Sequence, residues 1–222
     1  MTQAGTVDTE KAQLIERPAR PDDAIAAVDL IYLPMGGLAD YLFGNDNAEE
    51  AKHVLRRLFV QEQNRFSYRF ADVIEIDDEV AALLLSYPAP VFGDLAIPTG
   101  KEMAEVLGAA GMARMIKRSA GFMRHTECQS DEYYVFTVAV SPDHQNNGIG
   151  KQLLAMAQRK AIEAQLAKIS LGVTLSNHAA VRYYSRIGFE IVETVKMARL
   201  GRLIAYPGYY KMVAKLPLIG IH

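Results

Sequence analysis

The stretch of residues 137–154 constrains the fold more than any other part of this sequence. An apolar, β-branched run ends at Val140, Pro142 follows as a turn, and apolar side chains at helical spacing come next. Between the turn and the helix lie Gly148 and Gly150, where a missing Cβ lets a ligand approach the backbone. The N–H groups of such a loop point outward and favour anions. The order strand, turn, loop, helix predicts a site for a pyrophosphate, although a lone Gly-x-Gly is also typical of a plain turn.

Two common nucleotide-binding loops do not fit this segment. Dinucleotide-binding loops need a third glycine where this chain has Leu153. P-loops need Ser or Thr after Gly-Lys, where this chain has Gln152 after Gly150 and Lys151. A nucleotide-binding α/β protein is therefore a weak alternative, which ATP or NAD binding would support.

A second motif lies downstream of the loop and helps to distinguish a ligand-binding loop from a plain turn. Asn177, Ala180 and Tyr184 precede the pair Gly188 and Phe189 at fixed spacing. The matching positions of the first motif are Val138, Ala139, Val140, Pro142, Gln145, Gly148 and Gly150. This arrangement resembles the GNAT N-acetyltransferase superfamily, and two motifs in register make chance a poor explanation. The resemblance is specific over residues 133–195 and only topological over residues 14–87.

The resemblance implies acetyl-CoA as co-substrate and assigns residues to it. The backbone of residues 138–140 would splay from its neighbouring strand and bind the pantetheine arm as an added strand would. The amide of Val138 or a close neighbour would stabilise the developing oxyanion, a contribution worth roughly 3 kcal/mol in comparable sites. The residues expected to bind the cofactor are Val138, Ala139, Val140, Gln145, Asn146, Asn147, Gly148, Ile149, Gly150, Lys151 and Asn177. Val138 and Val140 are also suited to the sheet core, Lys151 to the solvated surface, and Asn177 to a helix N-cap.

The resemblance also assigns the general acid. Tyr184 matches the family's tyrosine that protonates the leaving CoA thiolate, a task within reach of a phenol. Its neighbour Tyr183 points about 100° away on a helix, so one ring should face the cleft and the other should pack or meet solvent. The spacing from Asn177 and to Gly188 selects Tyr184.

The general base is less well defined. Family members use a Glu, Asp or His on or near the central strand, and Glu132 is favoured here because it lies closest to that strand. The alternatives are Asp131, Glu127 and His125, with Tyr133, Tyr134 and Thr137 on the strand itself. Cys128 has no His or Asp at a recognisable spacing, so we expect direct transfer in a ternary complex rather than an acyl-cysteine.

The chain length of 222 residues suits one α/β domain, here expected over residues 14–222 after a flexible tail of residues 1–13. The resemblance implies a mixed, mostly antiparallel sheet with one splayed parallel strand pair and helices on both faces, with a helical insertion at about residues 88–130. Strand–helix alternation in the last third by itself predicts a mostly parallel segment there. The expected strands are residues 14–20, 70–76, 80–87, 133–140, 169–175 and 189–195, with a last strand ending residues 206–215. The expected helices are residues 24–33, 48–63, 149–166 and 178–187, with one or two within 101–123 and a loop at 88–100.

Composition limits the partners and the compartment. Lysine and arginine number 24 against 26 acidic residues, so no basic excess indicates nucleic acid binding. The N-terminus lacks the basic and apolar regions of a secretory signal, and no long apolar run predicts a membrane span, so a cytoplasmic protein is expected. A single cysteine, Cys128, excludes an intrachain disulfide and a Cys-rich zinc site, and no metal site is predicted.

The acceptor is expected to lie against residues 32–47, 88–130 and 199–210, because the family's acceptor specificity resides in the equivalent segments. They are rich in Tyr, Phe, Met and Gly and contain no acidic cluster that would indicate a polyamine. A small-molecule amine is therefore the first expectation and a protein N-terminus or lysine the second. The alternative is a non-catalytic acyl-CoA sensor of the same fold, and the resemblance leaves a homodimer open.

Overall fold

The computed structural model describes residues 14–122 and 125–221, and the predicted tail, residues 1–13, lies outside them. One seven-stranded sheet forms the centre, in the order β1-β2-β3-β4-β5-β7-β6. Its strands are β1 Leu14–Pro18, β2 Ala71–Ile76, β3 Glu79–Pro88, β4 Glu132–Val140, β5 Lys168–Thr174, β6 Glu190–Lys196 and β7 Gly208–Lys215. The mixed, mostly antiparallel sheet implied by the resemblance is thus confirmed.

Among the strands that the structure describes, only β4 and β5 pair in parallel. The mostly parallel segment predicted from the strand–helix alternation is wrong, because β7 returns to lie between β5 and β6 and pairs with both in antiparallel register. Sequence order alone carries no information about such an insertion of a later strand between two earlier ones.

Helices cover both faces of the sheet. Their bounds are α1 Ala24–Met35, α2 Gly37–Leu42, α3 Ala48–Phe59, α4 Ala89–Asp94, α5 Ala96–Ser119, α6 Ile149–Glu163, α7 His178–Arg186 and α8 Ala198–Ile204. The side chain of Asn47 accepts a hydrogen bond from the Glu50 N–H at 3.0 Å and so fixes the start of α3. No helix in the described part of the chain is long and apolar enough to cross a membrane.

The segment after β3 differs from the sequence expectation. The loop predicted at residues 88–100 is helical, forming α4 and the first turn of α5. Pro90 and Pro98 lie in first turns, where a missing N–H costs nothing because those groups have no partner within the helix. The two candidate helices within 101–123 form one element, α5, with a kink at Gly108 (φ 67°, ψ 173°).

Each face of the sheet has its own hydrophobic core, and β4 contributes to both by alternation. Tyr133 and Val135 pack with Leu153 and Leu154 of α6 on one face. Tyr134 packs on the opposite face with residues of α1 and α3. We call the first the α6 face and the second the α1 face.

Pairing between β4 and β5 stops half-way along β4. The parallel register runs from Glu132↔Lys168 to Val135↔Leu171, while β4 continues to Val140 beside β3 alone. Just after the last parallel pair, Leu85 lies opposite Thr137 but Ser86 lies opposite Val135, so Phe136 is the extra residue of a β-bulge. The two strands therefore separate, and the β5-facing edge of residues 136–140 makes no strand pairing within the described chain.

Candidate active site

A cleft of about 400 Å³ opens where β4 and β5 separate on the α6 face. It lies between the end of β4, the loop of residues 141–148 and the first turns of α6 and α7. The lining residues are Val138, Val140, His144, Gln145, Asn146, Gly148, Ile149, Gly150, Leu154, Ala179, Ala180, Tyr183 and Tyr184. The structure thus brings the predicted loop, the end of the predicted strand and the predicted tyrosine to one cleft.

Four predicted cofactor residues lie outside this lining. Ala139 is buried and faces the α1 side, as expected for alternation along a strand. Asn147 and Lys151 are exposed beside the loop. Asn177 caps α7, where its Oδ1 accepts a hydrogen bond from the Ala180 N–H at 3.0 Å. Their contact with a cofactor stays a prediction.

The loop forms an open cradle of backbone N–H groups. Gly148 has φ +80°, in the left-handed region that favours glycine, and a Cβ built there would meet no atom within 4 Å. The N–H groups of residues 146–150 have no hydrogen-bond partner among the described residues. The Gln145 side chain donates to the Val140 carbonyl at 3.1 Å and ties the loop to the end of β4. Successive unpaired N–H groups at a helix N-terminus, beside an open strand edge, fit a pyrophosphate with an amide-bearing arm.

Tyr184 is held against the cleft wall by two aromatic neighbours. Its ring packs edge-on against Phe189 and against Tyr183, each with ring centroids 5.5 Å apart. Its hydroxyl has no hydrogen-bond partner among the described residues. Burial, with a smaller contribution from Tyr183, raises the pKa of Tyr184 to about 12. The phenol therefore stays protonated in neutral solution, which an acid requires.

Both tyrosines of α7 line the cleft, so the expectation that only one of them would face it is wrong. The edge-on contact between the two rings explains how adjacent residues reach the same space. His144 is a further lining residue that sequence reasoning missed. Its position directly before Gln145, in a 3-10 turn from Pro142 to His144, is the signal that could have found it.

A sequence model of the acetyltransferase (GNAT) family matches residues 46–189, well over half of the chain. The chain belongs to this family. Enzymes of the GNAT family use acetyl-CoA, and the cradle and the open strand edge of this chain fit that co-substrate.

The individual proteins that resemble this chain share only part of its length or a small fraction of its sequence. Residues of this chain are 36% identical over 64 positions to the [ribosomal protein bS18]-alanine N-acetyltransferase of Escherichia coli K12, and the Shigella flexneri protein of that name matches equally. The match spans 29% of this chain and 43% of those relatives. A solved N-acetyltransferase from Staphylococcus aureus Mu50 superposes with a TM-score of 0.69 at 19% identity, over 90% of this chain and all of that one. Another solved acetyltransferase gives a TM-score of 0.66 at 23% identity, over 91% and 99% of the two chains.

The predicted general base of this GNAT chain does not lie in the cleft. Glu132 is 4% exposed and forms an ion pair of 3.3 Å with Lys211, which is 5% exposed. Its carboxylate also accepts a hydrogen bond from the Gln129 N–H at 2.9 Å. Val138 lies six residues further along β4, a distance of about 20 Å at roughly 3.3 Å per residue. The structure therefore does not bring Glu132 together with Tyr184.

The buried pair of Glu132 and Lys211 predicts a stability effect. Lys211→Met should lower the free energy of unfolding by about 3–5 kcal/mol, because it leaves a buried carboxylate without its counter-charge. Urea denaturation measures this, with the exposed Lys215 of the same strand changed to Met as the control. A wild-type denaturation midpoint for Lys211→Met would show that the pair contributes no net stability.

Two other candidate bases also have partners, and burial keeps the cysteine in its thiol form. Asp131 is exposed and pairs with Lys168 at 2.6 Å. His125 Nδ1 lies 3.0 Å from a carboxylate oxygen of Glu193. Burial, with the negative charges of Glu127 and Glu132, raises the pKa of Cys128 to about 11. A thiol that stays protonated is a poor nucleophile, so the site offers no support for an acyl-cysteine.

Proposed function

We propose that this protein is an acetyl-CoA-dependent N-acetyltransferase that acts on a primary amine by direct attack in a ternary complex. One observation carries the proposal: the cradle of N–H groups, the unpaired edge of β4 and the side chain of Tyr184 border one cleft. A sensor that only binds acyl-CoA would need the first two features but has no use for a half-buried, protonated phenol beside them.

The residues of the chain have distinct tasks in this reaction. The N–H groups of residues 146–150 hold the phosphates, and the free edge of residues 136–140 hydrogen-bonds the amides of the arm. Acetyl-CoA supplies the acetyl group as a thioester. A backbone N–H near Val138 faces the thioester carbonyl and stabilises the negative charge that develops on its oxygen as the amine attacks. Tyr184 gives its proton to the sulfur as the C–S bond breaks.

The acceptor is a small-molecule amine in this proposal. Aromatic and methionine side chains recur in the segments expected to contact it, which suits a shaped, partly apolar pocket. A protein N-terminus is the second candidate, and the E. coli relative favours it because its name specifies the alanine of a ribosomal protein. A match over 29% of the chain supports this candidate only weakly.

Release of free thiol from acetyl-CoA tests the proposal across a panel of small amines, polyamines, aminoglycosides and peptides with a free N-terminus. Turnover with one class of acceptor would establish the enzyme and name that class. Tight CoA binding without turnover on any member would favour the sensor. Absence of CoA binding would overturn the function proposed for the cleft.

A further inference from the structure

One carboxylate on the α1 face has a setting unlike that of Glu132. Glu127, in the segment before β4, accepts a hydrogen bond from the hydroxyl of Tyr134 at 3.2 Å. Tyr134 is 7% exposed, whereas 39% of the Glu127 side chain is exposed. The carboxylate therefore joins a buried hydroxyl to an open space.

A fixed positive charge lies on one side of Glu127. Arg65 Nη1 is 3.9 Å from its Oε1, too far for a strong hydrogen bond but close enough to favour the carboxylate. Arg65 is itself committed to Phe92: its guanidinium lies 3.6 Å from the centroid of that ring, and its Nε donates to the Phe92 carbonyl at 3.0 Å. Because Arg65 is held by these contacts, it forms no strong hydrogen bond with Glu127. The Glu127 carboxylate can therefore accept a hydrogen bond from another cation.

Glu127 lies near the gap between β4 and β5. Tyr134, which binds it, belongs to the last parallel pairs before the strands separate. On the neighbouring strand, Gly172 is exposed although β5 lies inside the sheet, and a Cβ built there would lie 3.7 Å from the ring of Tyr209. Burial and then the charge of Glu127 raise the pKa of Tyr209 to about 12, so the carboxylate is within electrostatic range of this opening.

We propose that Glu127 receives the proton of the acceptor ammonium, directly or through one water, on the face of the sheet opposite the cofactor cleft. This inference rests on the proposed function. An Oε atom of Glu127 takes one N–H proton, and the nitrogen lone pair then forms the new C–N bond as the C–S bond breaks. The nitrogen loses a second proton as the amide forms, and this proton replaces the one that Tyr184 gives to the sulfur. The exposed part of the side chain passes the proton to solvent.

The surroundings suit this role. Desolvation by the surrounding protein is the largest influence and raises the pKa of Glu127, while Arg65 and Tyr134 oppose it. The titratable and charged groups that face it are Arg65, Tyr87, Cys128, Tyr134, Tyr206 and Tyr209. The pKa of each of these tyrosines and of the cysteine is raised, and arginine stays charged, so the carboxylate of Glu127 is the proton acceptor that this group offers.

The test compares Glu127→Gln with Glu62→Gln. Glu62 is a matched control because it also binds a tyrosine hydroxyl, that of Tyr68 at 3.2 Å, and an arginine, Arg69 at 2.9 Å, but on the surface. With the acceptor found by thiol release, Glu127→Gln should lower kcat/KM about a hundredfold or more. It should also remove the fall in rate towards acidic pH and leave CoA affinity unchanged, while Glu62→Gln behaves as the wild type.

The outcomes separate the two proposals. Turnover and an acidic limb that survive in Glu127→Gln overturn the role of Glu127 alone, whereas a wild-type protein that fails to bind CoA overturns the proposed function. If CoA binds but no acceptor turns over, carbon NMR tests the role of Glu127 directly. The protein is labelled with carbon-13 at its glutamate carboxyl groups, saturated with CoA, and then mixed with phenethylamine as a model amine. The Glu127 signal, identified by its loss in Glu127→Gln, should move when the amine is added, and a signal that stays in place refutes the inference.

Discussion

Gly148→Trp should weaken CoA binding at least a hundredfold. The residue has φ +80°, which a side chain other than glycine adopts only at a cost of roughly 1–2 kcal/mol. No atom lies within 4 Å of the Cβ position, so an indole would project into the cradle itself rather than into the protein core. It would occupy the space of the pyrophosphate and cover N–H groups of the loop. Isothermal titration with CoA measures the effect.

Gly108→Trp is the matched control for this experiment. Gly108 has φ +67° and open space around its Cβ position, like Gly148, but it lies at the kink of α5 and not in the cleft. Gly108→Trp should lose at least as much thermal stability as Gly148→Trp, because ψ 173° places Gly108 in a region that only glycine adopts readily, but only Gly148→Trp should lose CoA. Equal CoA affinity in the two variants would mean that the loop is not the phosphate site.

The residues predicted for the cofactor side of the site lie close together in the sequence, because the features that indicate them are local. The loop and the helix start lie within a few residues of each other, so the order of elements indicated Gly148 and Gly150, and the family resemblance added Gln145. The family resemblance implied that β4 separates from its neighbouring strand. In the structure, pairing between β4 and β5 stops after Val135.

The acceptor side could not be predicted in the same way, since its groups come from distant parts of the chain. Glu132 looked suitable by its nearness to the strand, but its partner Lys211 lies on β7, which enters the sheet beside β5. Glu127 was one of several candidates, and only the fold brings Arg65 and Tyr134 to it. Fold-dependent ion pairing therefore decides which carboxylate is available for chemistry.

Helix α4, the first turn of α5 and helix α8 were not predicted, because their sequences lack the usual helix signals. Pro90 and Pro98 read as loop residues, yet both lie in first helical turns where proline is tolerated. Helix α8 has no side-chain N-cap and contains Gly201, so neither a start signal nor propensity indicated it. Tertiary packing of Leu200 with Val195 and Met197 stabilises it instead.

Tyr184→Phe should lower kcat about a hundredfold and leave the affinity for CoA nearly unchanged. Phenylalanine keeps the edge-on contacts with Phe189 and Tyr183, so the wall of the cleft is preserved. Only the hydroxyl is lost, and no described residue depends on it for a hydrogen bond. Single-turnover rates of acetyl transfer, measured beside CoA affinity, separate the lost proton donor from a damaged site.

Tyr183→Phe is the control that distinguishes the two tyrosines, because both rings line the cleft. It should leave kcat within about threefold of wild type if Tyr184 alone gives the proton to sulfur.

The pH profile adds a second check: the pKa of Tyr184 is raised to about 12, so its hydroxyl stays protonated below that value. The deficit of Tyr184→Phe should therefore be constant between about pH 6 and pH 10, and only above that range, where the phenol loses its proton, should the wild type fall towards it. A deficit in Tyr183→Phe as large as that in Tyr184→Phe, or one that disappears near neutral pH, would instead assign the proton to a different group.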